Sequence, residues 1–333
     1  MTGAPRAVGT TGPRVTILTP TRDARRFLAE CRRSVEAQYY PMDRIEHIVL
    51  DGGSTDGTLE LARSMTPGIV LEADTGTIYE ALNRGVARAK GDIVGWLNAD
   101  EVLHPDAISA VVRAFERRPD ADIAVGDFEL WTDEGAFTRR SRSDALQRLR
   151  QGRRRGTWIF PIAVFFRTEF LRGMGGYSTE YRLAADRELW LRIAASDSLP
   201  KIVHTGTTLG RFRVHDGSLS HGTDRTTPLR ENVRLYDGYR DDPKVPDGVR
   251  RHARALSRQN RLWLEVAEAR PEGLVAMTRA VLHAMLATSV EGPEGLSDLV
   301  EGLATNKLPA TRLGEKARRV WYGLFDESPY GPD

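Results

Sequence analysis

Cysteine is almost absent from this chain, which has one, Cys31, in 333 residues. A single thiol cannot form an internal disulfide, so the fold must rest on an ordinary hydrophobic core, and we expect a reducing, cytoplasmic environment. Cys31 shares a helical spacing with Leu28 and Val35. This spacing predicts a buried thiol on a helix face and not a nucleophile.

Long apolar runs are also missing. The most apolar window in the later part of the chain, residues 274–290, is interrupted by Arg279 and His283. We therefore expect no transmembrane segment. Residues 1–13 are rich in Gly, Thr, Ala and Pro and contain no apolar stretch, so we expect a disordered arm and no signal peptide.

The net charge is small, because 48 basic residues are balanced by 46 acidic ones to give +2. One stretch is nevertheless strongly basic: from Arg139 to Arg155 it holds eight arginines and one acidic residue. It is either a solvated surface or a contact for a diphosphate, an anionic acceptor or a peripheral anionic membrane surface. No aromatic residue interleaves the arginines and no nucleic-acid motif accompanies them, so we expect no nucleic-acid partner.

Two glycine-rich nucleotide motifs are missing as well. No G-x-G-x-x-G follows the first predicted strand, which argues against a dinucleotide-binding dehydrogenase. No glycine-rich phosphate loop lies near the N-terminus, which argues against a sugar-phosphate nucleotidylyltransferase.

The chain from residue 14 onward alternates between β-rich runs and segments with helical spacing. Strands are predicted at residues 14–19, 45–50, 69–71 and 93–97, with amphipathic segments between them. This alternation predicts a parallel sheet with right-handed crossovers. Residues 14–103 therefore read as the nucleotide-binding half of an α/β domain, with its ligand at the carboxyl ends of the strands.

Residues 71–103 carry the most informative pattern. A helical spacing stops at Gly91, and a short buried strand then ends in N-A-D-E, residues 98–101. Two carboxylates and an amide thus gather at a strand end, where open α/β sheets bind ligands. Their oxygens suit a hard divalent cation, although a polar turn that begins the next helix would have the same composition.

This segment resembles the inverting family-2 glycosyltransferases with the GT-A fold, in particular the colanic-acid and polysaccharide-type branch that carries D-x-G-[IT]-Y-[DE]-A-[ML]-N-x-G. Tyr79, Ala81, Asn83 and Gly85 match at this spacing, and Asp74 and Gly76 match with one additional residue between Gly76 and Tyr79. Asn98 and Asp100 stand where the family has its D-x-D-type motif, with Asn98 a departure at the first position. The resemblance implies a mostly parallel, Rossmann-like sheet flanked by helices.

The same resemblance implies a donor site and a metal site. The donor contacts that it implies within this segment are Asp74, Gly76, Tyr79, Asn83, Asn98 and Ala99. Asp100 would ligate Mn²⁺ or Mg²⁺ against the donor diphosphate, with Glu101 or His215 completing the site. His215 lies in R-V-H-D-G-S-L-S, residues 213–220, which resembles a family loop that folds over the metal and diphosphate; a surface histidine is the alternative.

Two earlier loops, T-P-T-R at residues 19–22 and D-G-G-S-T-D-G-T at residues 51–58, resemble the family's base- and ribose-binding loops. The nucleoside contacts that they imply are Pro20, Thr21, Arg22 and Asp51. Glycines permit a close backbone approach, and a carboxylate at a strand end can accept a hydrogen bond from a base. Read alone, the second loop could equally be a capped helix start.

Further strands are predicted at residues 123–131, 136–139, 158–167 and 209–214, the last closing the sheet, and helices at 105–117, 168–174 and 184–194. In this acceptor half, residues 104–222, A-A-D-R-E-L-W-L-R resembles the family's E-D-x-[DE]-L-W-x-R helix, with Ala185 replacing its Glu. The resemblance implies that Asp186 is the general base, whereas plain helix capping is the alternative. Glu188 lies about 200° further around the helix and is the weaker candidate.

Beyond the glycosyltransferase domain, residues 14–222, the sequence becomes helical and rich in arginine, so we predict a helical extension over residues 223–333. Its apolar stripe between Leu256 and Leu286 needs a partner surface. That surface is either the catalytic domain or a second copy of the chain in a homodimer.

These patterns predict a metal-dependent enzyme that transfers a sugar, with inversion, from a nucleoside diphosphate sugar to a hydroxyl-bearing acceptor by direct displacement. UDP is the favoured nucleotide, and the acceptor is a small molecule, a lipid-linked sugar or a glycan. The alternative is a catalytically silent nucleotide-sugar-binding protein that acts through its helical tail, which Asn98 and Ala185 leave open. Donor hydrolysis with and without Mn²⁺ separates the two.

Overall fold

The computed structural model describes residues 12–65, 69–72, 76–132, 135–153, 159–215 and 226–269. The strands are β1 (Val15–Thr21), β2 (Ile45–Asp51), β3 (Ile69–Glu72), β4 (Ile93–Trp96), β5 (Val102–Leu103), β6 (Ile123–Thr132), β7 (Gly135–Arg139), β8 (Val164–Arg167) and β9 (Ile202–Arg213). The helices are α1 (Arg25–Glu36), α2 (Thr58–Ser64), α3 (Ile78–Arg88), α4 (Ala107–Arg117), α5 (Ala145–Arg150), α6 (Thr168–Gly173), α7 (Ala185–Ala195), α8 (Thr226–Arg240) and α9 (Asp247–Ala269).

These strands form one sheet in the order β3-β2-β1-β4-β8-β6-β9-β5, with β7 paired to β6. Strands β3, β2, β1 and β4 run parallel to one another, and β8 is antiparallel to both β4 and β6. All seven residues of β1 are buried, as expected for a central strand with both faces covered. The α/β class and the predicted parallel first half are therefore confirmed.

The carboxyl ends of the parallel strands meet at one edge of the sheet. Thr21, the last residue of β1, is in register with Asp51, the last residue of β2. Leu18 of β1 lies beside Trp96, the last residue of β4. The segments that follow β1, β2 and β4 therefore leave the sheet next to one another.

The main core lies between the sheet and helices α1 and α4. Cys31 and Val35 of α1 pack there with Ile108 and Val112 of α4. Cys31 is fully buried, and this burial raises the pKa of its thiol. The predicted core position of this cysteine is confirmed.

Two strands differ from the bounds predicted from sequence. Residues 158–167 were expected to form one strand, but Pro161 begins a 3-10 turn over Pro161–Ala163, and the strand starts only at Val164. The strand expected at 209–214 begins at Ile202 and lies between β6 and β5, so it does not close the sheet. Its first half is rich in Thr and Gly, which hid the strand pattern.

The described residues fall into two compact units. The first runs to residue 215 and also takes in Arg234–Ala255, while the second holds residues 226–233 and 256–269. Helices α8 and α9 thus contribute to both. In the part of the chain that the structure describes, no helix is long and apolar enough to cross a membrane. Most of the predicted arm, and the predicted extension after residue 269, lie outside the described residues.

Candidate active site

Asp100 and His215 meet where the turn after β4 faces the end of β9. His215 Nε2 lies 2.9 Å from Asp100 Oδ2, and the two side chains are 24% and 25% exposed, respectively. The His215 ring also packs on Phe27 of α1, with centroids 4.8 Å apart. An imidazole nitrogen and a carboxylate oxygen, both of which can ligate divalent cations, therefore lie together at a solvent-accessible position.

A divalent cation fits this pair if a substrate supplies further ligands. Within the described ranges, no group of three or more His, Cys, Asp or Glu side chains is arranged to hold a metal ion. Mg²⁺, however, is usually bound through one or two carboxylates and completes its shell with water and substrate phosphates. The Asp100–His215 pair thus suits a cation shared with a bound diphosphate.

Glu101, a candidate ligand on sequence grounds, makes its contacts with Asn98. Its Oε1 accepts a hydrogen bond from Asn98 Nδ2 over 2.9 Å, and its Oε2 accepts from the Asn98 backbone N–H over 3.0 Å. The side chain is buried, and burial, together with the charge of Asp100, raises the pKa of Glu101 to about 8. In this structure Glu101 closes the turn that carries Asp100.

Arg213 holds the same turn from the other side. Its guanidinium donates to the Asp100 carbonyl over 3.2 Å and to Glu30 of α1 over 2.6 Å. It also lies over the Trp131 ring, 4.0 Å from the centroid. The sequence predicts a role for His215 in this loop but none for Arg213, whose available signal is its place two residues before the histidine.

The predicted nucleoside contacts lie at the ends of β1 and β2. Asp51 is buried, and its Oδ2 accepts hydrogen bonds from the backbone N–H groups of Gly53 and Ser54. Thr21 is also buried, and its Oγ1 has no hydrogen-bond partner among the residues that the structure describes. A buried unpaired hydroxyl is unfavourable unless a ligand or water bonds it, so this edge is suited to a polar ligand. Pro20 is buried beside Thr21, and Arg22 is exposed.

Asn83 braces the fold by bonding the backbone of Tyr177. Its Nδ2 donates to the Tyr177 carbonyl over 2.7 Å, and its Oδ1 accepts from the Tyr177 N–H over 2.8 Å. Gly176 has a φ of +70°, and a Cβ there would collide with the Asn83 amide. Gly76 is exposed just before α3, and Ala99 packs in a small buried cluster. Asp74 lies outside the described residues.

Asp186 lies in the first turn of α7, as predicted. Its Oδ1 accepts from the Tyr79 hydroxyl over 3.3 Å and from the Arg187 backbone N–H over 2.8 Å, and the side chain is 27% exposed. The helix is anchored by buried Leu189 and Ile193. Asp186 therefore lies on a helix that is fixed by core packing, as expected for a positioned carboxylate.

An aromatic cluster connects Asp186 with the turn after β4. The Tyr79 ring packs edge-on against Trp96 with centroids 6.0 Å apart, and Tyr177 packs against both rings. Trp96 Nε1 donates to Asn98 Oδ1 over 2.8 Å. Contacts therefore run from the candidate base to the candidate metal-binding turn.

Comparisons with known proteins identify the family of this chain. Residues 16–174 match the family described as Glycosyl transferase family 2. An uncharacterized glycosyltransferase of Mycobacterium tuberculosis is 33% identical over 193 residues, which cover 56% of this chain and 70% of that protein. The chain belongs to glycosyl transferase family 2. A PGL/p-HBAD biosynthesis glycosyltransferase of Mycobacterium bovis is 31% identical over 198 residues, covering 56% of this chain and 72% of that protein.

Solved structures of low sequence identity share the fold of this family-2 chain. Staphylococcus aureus TarS 1-349, in complex with UDP-GlcNAc, has a TM-score of 0.58 at 14% identity. The match covers 86% of this chain and 81% of the TarS chain. Mannosyltransferase PcManGT from Pyrobaculum calidifontis, in complex with GDP-Man and Mn²⁺, has a TM-score of 0.54 at 18% identity. The match covers 96% of this chain and 83% of the PcManGT chain. The predicted GT-A fold is confirmed.

The second carboxylate of α7 has different surroundings in this family-2 chain. Glu188 is 7% exposed, pairs with Arg192 over 2.9 Å, and accepts a hydrogen bond from the Tyr239 hydroxyl over 3.2 Å. Arg192 also donates to the carbonyl of Gly176. The Glu188–Arg192 pair therefore joins α7 to α8 through Tyr239 and to the segment before α7 through the Gly176 carbonyl.

Several arginines of the basic stretch have local partners. Arg142 and Arg148 pair with Asp144, and Arg150 donates to the Asp197 carbonyl. Residues 154 and 155 lie outside the described part. A contact of this stretch with an anionic surface remains a prediction.

Proposed function

We propose that this chain is a metal-dependent inverting glycosyltransferase that moves a sugar from a nucleoside diphosphate sugar, UDP in preference, to a hydroxyl of a small molecule, lipid-linked sugar or glycan. The observation that carries the proposal is the contact path from the Asp100–His215 pair through Asn98, Trp96 and Tyr79 to Asp186. Direct displacement needs a site for the leaving diphosphate and a base held close to it.

In this proposal Thr21 and Asp51 bind the nucleoside at the ends of β1 and β2, while Asp100 and His215 hold Mn²⁺ or Mg²⁺. A cation held by these two residues would neutralise negative charge on the leaving diphosphate. Asp186 takes the proton of the acceptor hydroxyl as its oxygen bonds to the anomeric carbon. The bond to the diphosphate oxygen breaks on the opposite face, so the configuration at that carbon inverts.

Relatives support parts of the proposal that the chain alone leaves open. Proteins named for PGL/p-HBAD biosynthesis and, in Myxococcus xanthus, for O-antigen biosynthesis favour a lipid-linked or glycan acceptor. The UDP-GlcNAc complex of TarS favours a UDP sugar, and the Mn²⁺ complex of PcManGT favours a divalent cation. The motif from Gly76 to Gly85 favours the colanic-acid and polysaccharide-type branch.

Thermal-shift measurements test the donor site. A ligand at 100 times its Kd adds about 2.7 kcal/mol to the free energy of unfolding. We expect UDP and UDP sugars to raise the Tm more than GDP or dTDP, and Mn²⁺ to increase that rise. Equal stabilisation by all three nucleotides would remove the preference for UDP.

Asp100→Ala tests the metal site. Loss of the carboxylate should abolish sugar transfer, measured as UDP release from a UDP sugar, together with the Mn²⁺-dependent part of UDP stabilisation. Asp43→Ala is a suitable control because that side chain is 77% exposed and lies before β2, at the opposite end of that strand from Asp51. Full UDP release in excess chelator would contradict metal dependence. Binding of UDP sugars by the unmodified protein without any UDP release would favour the silent binding protein.

A further inference from the structure

Tyr79 connects the two ends of the candidate active site. The side chain is 3% exposed, and its hydroxyl donates to Asp186 Oδ1 over 3.3 Å. Burial and then the charge of Asp186 raise the pKa of Tyr79 well above its usual value. The hydroxyl therefore keeps its proton and is available as a donor to the carboxylate.

In the described part of the chain, the contacts of the Asp186 carboxylate go to one of its oxygens. The Tyr79 hydroxyl and the Arg187 N–H both bond Oδ1, and Arg187 Nη1 lies 3.8 Å from the same atom. Among the residues that the structure describes, no group bonds Oδ2. A carboxylate fixed in this way offers its second oxygen to an acceptor proton from a defined direction.

The ring of Tyr79 is fixed from its other side. It meets Trp96 edge-on, with an interplanar angle of 87°, and Trp96 is 9% exposed. Trp96 is in turn bonded to Asn98, two residues before Asp100. Because closely packed rings move together, a displacement of Tyr79 would change the position of Asp186 relative to the Asn98–Asp100 turn.

We propose that Tyr79 is a positioning residue for the general base. Its hydroxyl fixes Oδ1 of Asp186 so that Oδ2 faces the acceptor, and its ring keeps this carboxylate in a constant position relative to the Asn98–Asp100 turn. The inference rests on the proposed function, in which Asp186 is the base. The resemblance implied a donor contact for Tyr79; the buried hydroxyl serves the acceptor end of the site.

A double-mutant cycle in the full chain tests this role. UDP release is measured from UDP-glucose or UDP-N-acetylglucosamine, whichever stabilises the protein more, for Tyr79→Phe, Asp186→Asn and the double variant. We expect Tyr79→Phe to lower kcat about tenfold, with an unchanged KM for the donor and unchanged stabilisation by UDP. The double variant should be no slower than Asp186→Asn, because the hydroxyl acts only through that carboxylate.

Tyr40→Phe is the matched control. It removes another buried donating hydroxyl, which bonds the Pro13 carbonyl over 2.5 Å, and should leave kcat unchanged. An unchanged kcat in Tyr79→Phe, or a tenfold loss added to that of Asp186→Asn, would overturn the inference but not the proposed function. Native turnover in Asp186→Asn would overturn both.

A crystal structure of Tyr79→Phe gives a readout that does not depend on turnover. We expect the Asp186 carboxylate to rotate away from its position while α7 and the Trp96–Asn98 bond stay in place. A carboxylate that keeps its orientation through the Arg187 N–H alone would show that the hydroxyl does not position it. That result would overturn the inference even if UDP release were too slow to measure.

Discussion

A buried histidine makes the folded domain sensitive to acid. His47 of β2 is 4% exposed, with Nδ1 lying 3.0 Å from Arg32 Nη1 and Nε2 lying 2.9 Å from Thr19 Oγ1. A guanidinium can only donate, so Nδ1 accepts, and the ring proton on Nε2 is donated to Thr19. Burial and then the charge of Arg32 lower the pKa of His47 to about 3.

We expect the free energy of unfolding to fall between pH 6.5 and pH 3. In that window the unfolded chain binds a proton at His47 that the folded chain excludes, so the stability present above pH 6.5 is lost as the pH falls. The slope from this residue is at most about 1.4 kcal/mol per pH unit. Denaturant unfolding followed from pH 7 to pH 4 measures it.

His47→Gln is the control for this prediction, because glutamine keeps an acceptor and a donor but does not titrate. The variant should lose stability less steeply than the unmodified chain as the pH falls. Parallel slopes for the two proteins would show that the acid sensitivity arises at other residues.

At the scale of single residues, the sequence predicts which side chains have suitable chemistry better than it predicts which residues they contact. Asp100 and His215 were named from separate motifs, and the structure brings them within 2.9 Å. The bracing contact of Asn83 was missed because its partner, Tyr177, lies 94 residues further along the chain. Glu101 was grouped with the candidate ligands because spacing alone cannot show that a carboxylate in a turn faces inward towards Asn98.

At the scale of elements, α7 carries two carboxylates with different surroundings. Asp186 is partly exposed, with one oxygen bonded, whereas Glu188 is buried and paired with Arg192 and Tyr239. The first arrangement suits proton transfer, and the second fastens the helix.

We therefore expect opposite results from two conservative changes in α7. Asp186→Asn should keep the Tm and the affinity for UDP but lower sugar transfer by roughly 100-fold or more. Glu188→Gln should lower the free energy of unfolding by about 1 to 3 kcal/mol, because a mostly buried arginine loses its charged partner. At assay temperatures well below its Tm, this variant should transfer sugar at the unmodified rate. Native transfer by Asp186→Asn together with loss in Glu188→Gln would reverse the assignment.

The elements themselves were predicted best where hydrophobic spacing was regular. The parallel strands β1 to β4 and the helices between them follow the expected order. β8 and β9 were misjudged for local reasons, since Pro161 removes a backbone donor and the polar run at Thr205–Thr208 resembles a loop in composition. The alternation of a strand cannot be read where threonine and glycine occupy both faces.

At the scale of the whole chain, the sequence suggested a catalytic domain followed by a helical extension. In the structure, Arg234–Ala255 belong to the same compact unit as the sheet. Within that unit, Tyr236 of α8 packs on His252 of α9 with centroids 6.5 Å apart, and His252 contacts the Arg153 carbonyl. Periodicity shows that a helix has an apolar face, but it does not show which surface covers that face.

Two helical glycines differ in what surrounds them. Gly248, in the first turn of α9, lies so close to the end of α5 that a Cβ would collide with the Arg150 carbonyl group. Gly238 of α8 is exposed, and a Cβ there would meet nothing within 4 Å. Both residues belong to the first compact unit.

We expect Gly248→Ala and Gly238→Ala to change stability in opposite directions. At Gly248 the new methyl group must push α9 away from the α5 backbone, which should lower the free energy of unfolding by about 1 to 3 kcal/mol. At Gly238 alanine has the better helix propensity and no neighbour to displace, so the free energy of unfolding should rise by about 1 kcal/mol. Denaturant unfolding of both variants measures the difference. If Gly248→Ala were as stable as Gly238→Ala, close packing of α9 on α5 would not contribute to the stability of the first compact unit.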